Sequence, residues 1–227
     1  MALLKPQDTN SDKEMAFDFH FPTSKKALII FTRNPELGKV KTRLAKTVGD
    51  ESALDIYKFL IQHTVKVTKD LKVDKYVFYS EGIRKNDAWN VDVFRKKLQE
   101  GNDLGERMHN AFLEIFKMGY EKAVIIGCDM FDWEKKDLEA AFMGLNDFDF
   151  VIGPATDGGY YLLGMKHPKQ ILFQNKEWGA SSVLEQTLID LKGENYLLLK
   201  ERNDIDHFED LEGIEAFQRF LPSIRKN

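Results

Sequence analysis

The chain has 227 residues, 43% of them hydrophobic and 12% aromatic, which is enough to bury one sizeable core and too few for two comfortable domains. Its 33 lysines and arginines against 37 aspartates and glutamates leave a net charge of -4, so no general electrostatic attraction to nucleic acid is expected. The one cysteine, Cys128, excludes an intrachain disulfide and any multi-cysteine metal centre; with no apolar run near the ~18 residues of a membrane span and no signal-like segment in "MALLKPQDTNSDKE", a cytoplasmic location is expected.

Residues 1–24 read as a polar tail in which Phe17, Phe19 and Phe21 alternate as on one face of an extended segment. That face either docks on the domain or pairs with another strand or subunit, so a homo-oligomer is compatible with it. Residues 25–227 show no linker and no repeat, and read as one unit. "KALIIFT" is a β-rich run predicted to be a strand buried on both faces. A loop, "RNPELGKVKTRLAKTVGD", follows it. After a cap at Asp50, helical spacing links Ala53, Leu54, Tyr57, Leu60, Ile61 and Val65. "KYVFYS" is a strand, and Leu104, Met108, Ala111, Phe112, Ile115 and Phe116 carry a helix ahead of the strand "AVIIG". Helix "WEKKDLEAAFMGL", strands "FDFVIG" and "YYLLGM", helix "SSVLEQTLIDL", strand "NYLLL" and a last helix from Phe208 to Leu221 complete the series. Alternation of this kind predicts a Rossmann-like α/β/α sandwich on a mostly parallel sheet, with ligands at the carboxyl ends of its strands.

The residues just past each strand are therefore informative. Arg33, Gly38, Lys39, Lys41 and Arg43 come after the first; Asp129 and Asp132 come after "AVIIG"; Asp157, Gly158 and Gly159 after "FDFVIG"; Asp204 and Asp206 after "NYLLL". If the basic loop is extended, Lys39, Lys41 and Arg43 point the same way and suit a pyrophosphate. It is no P-loop, because Arg33 stands where that motif needs its first glycine, and no G-x-G-x-x-G occurs. Two carboxylates ~4 Å apart repel by roughly 4 kcal/mol at an effective dielectric near 20. A divalent cation reverses the penalty, and Mg²⁺ takes one or two carboxylates together with substrate phosphates. Asp129 and Asp206 are the favoured pair with Asp157 close by; alternatively Asp132 and Asp204 cap the elements after them and Asp129 is a turn residue. In "GPATDGGYYLLG", Gly158 and Gly159 admit a ligand against bare backbone while Tyr160 and Tyr161 face opposite sides of the next strand, or else the stretch is a bulged turn with core tyrosines. Trp178 stacks on a base or sugar, or seals the core edge. His20, His63, His109, His167 and His207 lack H-E-x-x-H spacing, which argues against zinc. Ser181 and Ser182 lie outside any G-x-S-x-G frame and are expected to cap a helix.

Taken in order, "FTRNPELGKVKTRL", "NDLGERM", "IIGCDM", "GPATDGGYYLLG", Trp178 and "DIDHFEDL" resemble the bacterial DUF2064 proteins, often called glycosyltransferases. These belong to the nucleotide-diphospho-sugar transferase (GT-A) superfamily along with the guanylyltransferases of molybdenum-cofactor and coenzyme F420 biosynthesis. The similarity runs from about Lys26 to Phe220. It implies a nucleotide or nucleotide-sugar ligand, a small-molecule acceptor and Mg²⁺ or Mn²⁺. It also implies metal ligation by Asp129 and Asp206, with Asp204 beside them, and base and phosphate contacts from Arg33, Gly38, Lys39, Lys41 and Arg43. Asp103, Gly105 and Arg107 of "DLGERM" are placed near the nucleotide, with Asp129, Asp157 and Lys41 as the catalytic set. Relatives commonly carry proline two residues after the metal acid, where this chain has Phe131. Glycosyl transfer, nucleotidyl transfer with release of pyrophosphate, and noncatalytic nucleotide sensing all remain open; a sensor should tolerate loss of Asp129.

Overall fold

A computed structural model describes residues 22–221 of the chain; the alternation at Phe17, Phe19 and Phe21 lies outside them. Among the described residues seven strands form one sheet: β1 (Lys26–Thr32), β2 (Asp74–Tyr79), β3 (Arg95–Leu98), β4 (Lys122–Ile126), β5 (Phe150–Pro154), β6 (Tyr160–Met165) and β7 (Tyr196–Leu198). Their order is β3-β2-β1-β4-β6-β5-β7, with β6 antiparallel to both β4 and β5 and every other pairing parallel. A parallel neighbour needs a crossover of a dozen or more residues. Only Ala155–Gly159 separate β5 from β6, so those two strands fold back on each other.

Period-two alternation along β1 divides the interior. Leu28 and Ile30 pack with Tyr57 and Ile61 of α2 (Asp50–Thr68) and with Leu138 and Phe142 of α4 (Lys135–Asp147). Ala27 and Ile29 pack with Met108, Phe112 and Ile115 of α3 (Leu104–Lys117), on the face that also receives α5 (Val183–Asp190). The outer side of α2 is covered in turn. Leu44 and Val48 of α1 (Thr42–Val48) join Ile205, Leu211 and Phe217 there, and Phe131 packs its ring against Phe59 and Phe217. Phe131 thus anchors the loop after β4 in a hydrophobic cluster.

Several expectations need correction. The loop after β1 contains α1, and β3 reads "RKKL", a charged tetrapeptide with no apolar alternation. Among the described residues β3 is an edge strand that pairs with β2 alone, and its cations find Asp74, Asp87 and Glu114; charge on an edge discourages pairing with another chain. Asp50 is the first residue of α2 and not its cap, because Gly49 fills that position. The expected final helix is two short 3₁₀ turns, Glu209–Leu211 and Glu215–Phe220, separated at Gly213, whose φ is 74°. Among the described residues no helix is long and apolar enough to cross a membrane.

Candidate functional site

β1 sends its chain to β2 on one side and lies beside β4 on the other, which makes the gap between the ends of β1 and β4 the topological switch point. A cavity of about 740 Å³ opens there. Arg33, Lys39, Asp103, Arg107, Asp129, Asp157, Gly159, Tyr160, Trp178 and Asp204 all line it. Remote acids meet because residues 202–206 run between the loops after β4 and β5, tied by backbone. Ile205 donates to the Asp129 carbonyl at 2.9 Å, Met130 bridges to Asp204, Ala155 bridges to Arg202, and Thr156 donates to the Arg202 carbonyl at 3.0 Å.

Lys41 occupies the centre of this convergence. Its side chain is only 5% exposed and its Nζ lies 2.7 Å from Asp129 Oδ1 and 3.7 Å from Asp206 Oδ1. Arg43 closes the other Asp206 oxygen at 2.8 Å. The backbone at Lys41 is left-handed, φ 48°, a conformation costing roughly 1–2 kcal/mol in a non-glycine residue, and it delivers the ammonium to Asp129. The segment is therefore not extended. Lys39 leaves the other two cations for Glu36 at 2.8 Å and Glu81 at 3.6 Å, because Gly38 turns the chain and Arg43 already belongs to α1.

Charge at the acids is unbalanced. Burial, reinforced by Asp157 and Asp129 and opposed by Lys41, pushes the Asp204 carboxyl up to about 6. Asp129 side-chain atoms stay 46% exposed toward the cavity, whereas Asp206 does not line it. The favoured pairing of Asp129 with Asp206 is thus mediated by Lys41, and Asp204 joins Asp129 and Asp157 on the cavity wall. Neither Asp132 nor Asp204 caps a helix. Glu134 and Asp137 form the capping box of α4, Asp210 receives the N–H groups of Asp206 and His207, and Asp132 pairs with buried Arg202 at 3.1 Å. Ser182 stands at the start of α5 without a side-chain cap bond.

The glycines separate into different roles. Gly38 and Gly105 do not line the cavity: a Cβ on Gly105 would fall 2.3 Å from the Phe173 carbonyl and 2.7 Å from the Trp178 ring, so that glycine serves packing. Gly158, with φ 87°, lies against the Ser181 backbone and is likewise absent from the wall. Gly159 lines it, and its N–H is held by Asp157 Oδ1 at 2.8 Å. Tyr160 faces the cavity and donates to Met108 Sδ at 3.8 Å, while Tyr161 covers Gly153 and donates to the Lys200 carbonyl. Trp178 does two jobs: it seals Gly105 and presents its remaining surface to the cleft.

Asn34, Tyr57, Gln99 and Arg202 also build the site and were not foreseen. Asn34 accepts from Glu81 N at 3.1 Å and donates to the Gly82 carbonyl at 2.7 Å, Tyr57 Oη receives the Arg33 N–H at 2.8 Å, and Gln99 donates to the Phe78 carbonyl at 2.9 Å. Asn34 sits before a proline directly after a strand, a turn signal that could have flagged it. The other three carry no local signal. Among the described residues no group of three His, Cys, Asp or Glu side chains is arranged to hold a metal ion by itself.

Residues 63–180 match the model of a family described as an uncharacterized protein conserved in bacteria (DUF2064). A solved structure of a candidate nucleotide-diphospho-sugar transferase from Desulfovibrio desulfuricans G20 is 29% identical and covers 86% of this chain and 91% of its own, with a TM-score of 0.77. Two further structures share the fold. CMP:2-keto-3-deoxy-manno-octonic acid synthetase complexed with CTP is 12% identical over 86% of this chain and 99% of that one, TM-score 0.53. 4-Diphosphocytidyl-2C-methyl-D-erythritol synthase from Anaerococcus prevotii is 9% identical over 82% and 92%, TM-score 0.51. No curated protein matches the chain.

Proposed function

From the premise that the chain belongs to the DUF2064 family and has the nucleotide-diphospho-sugar transferase fold, we propose that it is a transferase that moves a sugar from a nucleoside-diphosphate donor to a small-molecule acceptor. The observation that carries the reading is the meeting of cations and carboxylates in one cavity at the switch point of the sheet. Arg33, exposed and making no ion pair among the described residues, and Arg107, braced by the Gly101 carbonyl at 3.0 Å, bind the nucleotide with Lys39. Fixed positive charge at the diphosphate stabilises the transition state because it needs no rearrangement as negative charge develops.

The donor set suits a hydrated Mg²⁺ or Mn²⁺ that takes one or two carboxylates and completes its shell with phosphates. Asp129 and Asp204 would hold it, since both face the cavity and carry negative charge that Lys41 only partly offsets. When bound, such an ion neutralises charge on the departing diphosphate. Asp206 positions Lys41 and Arg43. In the transfer the acceptor oxygen bonds to the sugar carbon, the bond from that carbon to the diphosphate breaks, and the acceptor proton passes to Asp157.

The test is thermal denaturation with GTP, CTP, UDP-sugars and GDP-sugars, each with and without Mg²⁺ or Mn²⁺. A ligand bound only by the native state raises the melting temperature with dose. A preferred nucleotide sugar supports sugar transfer; a nucleoside triphosphate alone would replace it with nucleotidyl transfer. Stabilisation by neither overturns the proposal.

A further inference from the structure

The two edges of the sheet differ in kind. β3 presents Arg95, Lys96 and Lys97, whereas β7 consists of Tyr196, Leu197 and Leu198 and carries no charge. Among the described residues β7 pairs with β5 alone. The Asn195 carbonyl accepts the Asp149 N–H at 2.8 Å and the Leu199 N–H donates to the Ile152 carbonyl at 2.8 Å, so the odd-numbered residues bond inward and the amide groups of Tyr196 and Leu198 face out of the sheet. Like charges set opposite each other work against strand pairing, a protection that β3 has and β7 lacks.

Apolar surface flanks the open edge. Tyr196 packs on the α5 face of the sheet and borders a groove walled by Leu184, Leu188 and Ile189 of α5. Ile189 is 64% exposed and Leu198 45%. The groove carries one charge of each sign, Glu185 in the first turn of α5 and Lys192 just past its end. Both are exposed, and neither makes an ion pair among the described residues. Gly158 also lines the groove, and its neighbours Asp157 and Gly159 line the cavity of the site.

We propose that β7 and α5 form an interface with a second copy of this chain, in which the two β7 strands pair antiparallel about a two-fold axis and join the sheets of both copies. A two-fold interface is isologous, so each group on the patch must find its partner on the same patch. An axis perpendicular to the sheet keeps both α5 helices on one face and runs them in opposite directions. Glu185 of each copy then lies toward Lys192 of the other. With the axis at Leu197, Tyr196 stands opposite Leu198 twice over, and their outward N–H and C=O groups are exchanged. A strand of three residues is too short to hold two copies by backbone alone; burial of Ile189, Tyr196 and Leu198 supplies the remaining attraction. The interface is independent of the reaction assigned to the cavity.

Sedimentation equilibrium of the full chain tests this, and should give twice the 26.3 kDa of one copy, falling toward one copy on dilution. Lys192→Glu sets acid against acid and should weaken association by about tenfold or more. Glu185→Lys should do the same, and the two reversals combined should restore the dimer. Ile189→Lys, at an exposed position, should also weaken it by about tenfold or more, since its ammonium would be buried in the interface. Unchanged circular dichroism in each variant separates a lost interface from a lost fold. Amide exchange at Tyr196 and Leu198 should slow as protein concentration rises. A monomer at every concentration, a dimer indifferent to the single substitutions, or no recovery in the double reversal overturns the proposal. Slow exchange at Tyr196 and Leu198 in a monomer would overturn it too, and would assign the edge to residues 1–21 of the same chain.

Discussion

Where β1, β2 and β3 end, the cleft is held by neutral side chains bonding backbone: Asn34 to Gly82, Tyr57 to Arg33, Gln99 to Phe78. Where β4 and β5 end and β6 begins, charges do the holding, with Lys41 on Asp129 and Arg202 on Asp132 and Asp137. Neutral hydrogen bonds contribute ~1 kcal/mol each and can be lost singly. Removing one partner of a buried ion pair strands the other, at about 3 kcal/mol or more. The acid side is thus the brittle half of the site, and the side of Asn34, Tyr57 and Gln99 the half that can vary without unfolding.

The largest effect should come from the brittle half. Gly158→Val would drive a Cβ to within 2.1 Å of the Ser181 carbonyl oxygen in a backbone with φ 87°; clash and strain together should cost about 4 kcal/mol. Urea denaturation measures this, and an unchanged midpoint would mean that the acid turn does not rest on residue 181. Arg202→Met comes next, with a loss of about 2 kcal/mol, the charge-assisted hydrogen bonds from a buried guanidinium to two partly exposed carboxylates, Asp132 and Asp137. Arg202→Lys should recover only part of it, having no planar fork to span both acids.

Arg33→Ala tests the tolerant half. The side chain is exposed and makes no ion pair among the described residues, so the melting temperature of the free protein should not move. Apparent nucleotide affinity should fall by about tenfold, the loss of one charge-assisted phosphate contact. A drop in stability equal to that of Arg202→Met would erase the distinction between the halves. The smallest effect lies at the start of β2. Burial would raise the pKa of Asp74, but hydrogen bonds from Thr23 and Tyr120 and the charge of Arg95 outweigh it and hold the group below its usual 3.8. A depressed carboxylate stabilises the fold above its unfolded pKa, and that contribution disappears as pH falls through the lower folded value. Asp74→Asn should therefore flatten the melting curve against pH below about 4 while leaving nucleotide binding untouched.

Much of this was legible along the chain. The strands with apolar runs and the helices with apolar stripes were readable because burial on a sheet or helix face imposes a local period. β3 was not, because an edge strand needs no apolar face, and its lysines are matched by partners distant in sequence. α1 was hidden by basic residues that favour an extended reading of the loop after β1. At the site, Asp129 and Asp157 could be named from their places after buried strands, while Arg202, in the polar run "KERND", could not.

The amino-acid order by itself determined which segments are buried, where the sheet presents its carboxyl ends and that acids and cations gather there, since these depend on short-range periodicity and loop composition. Only the tertiary structure decided which of those charges touch. The strand-like seating of residues 202–206 between the ends of β4 and β5 brings Asp204 to the cavity and leaves Asp206 to Lys41 and Arg43. Backbone pairing across such a separation depends on the whole sheet being assembled, and no local pattern encodes it.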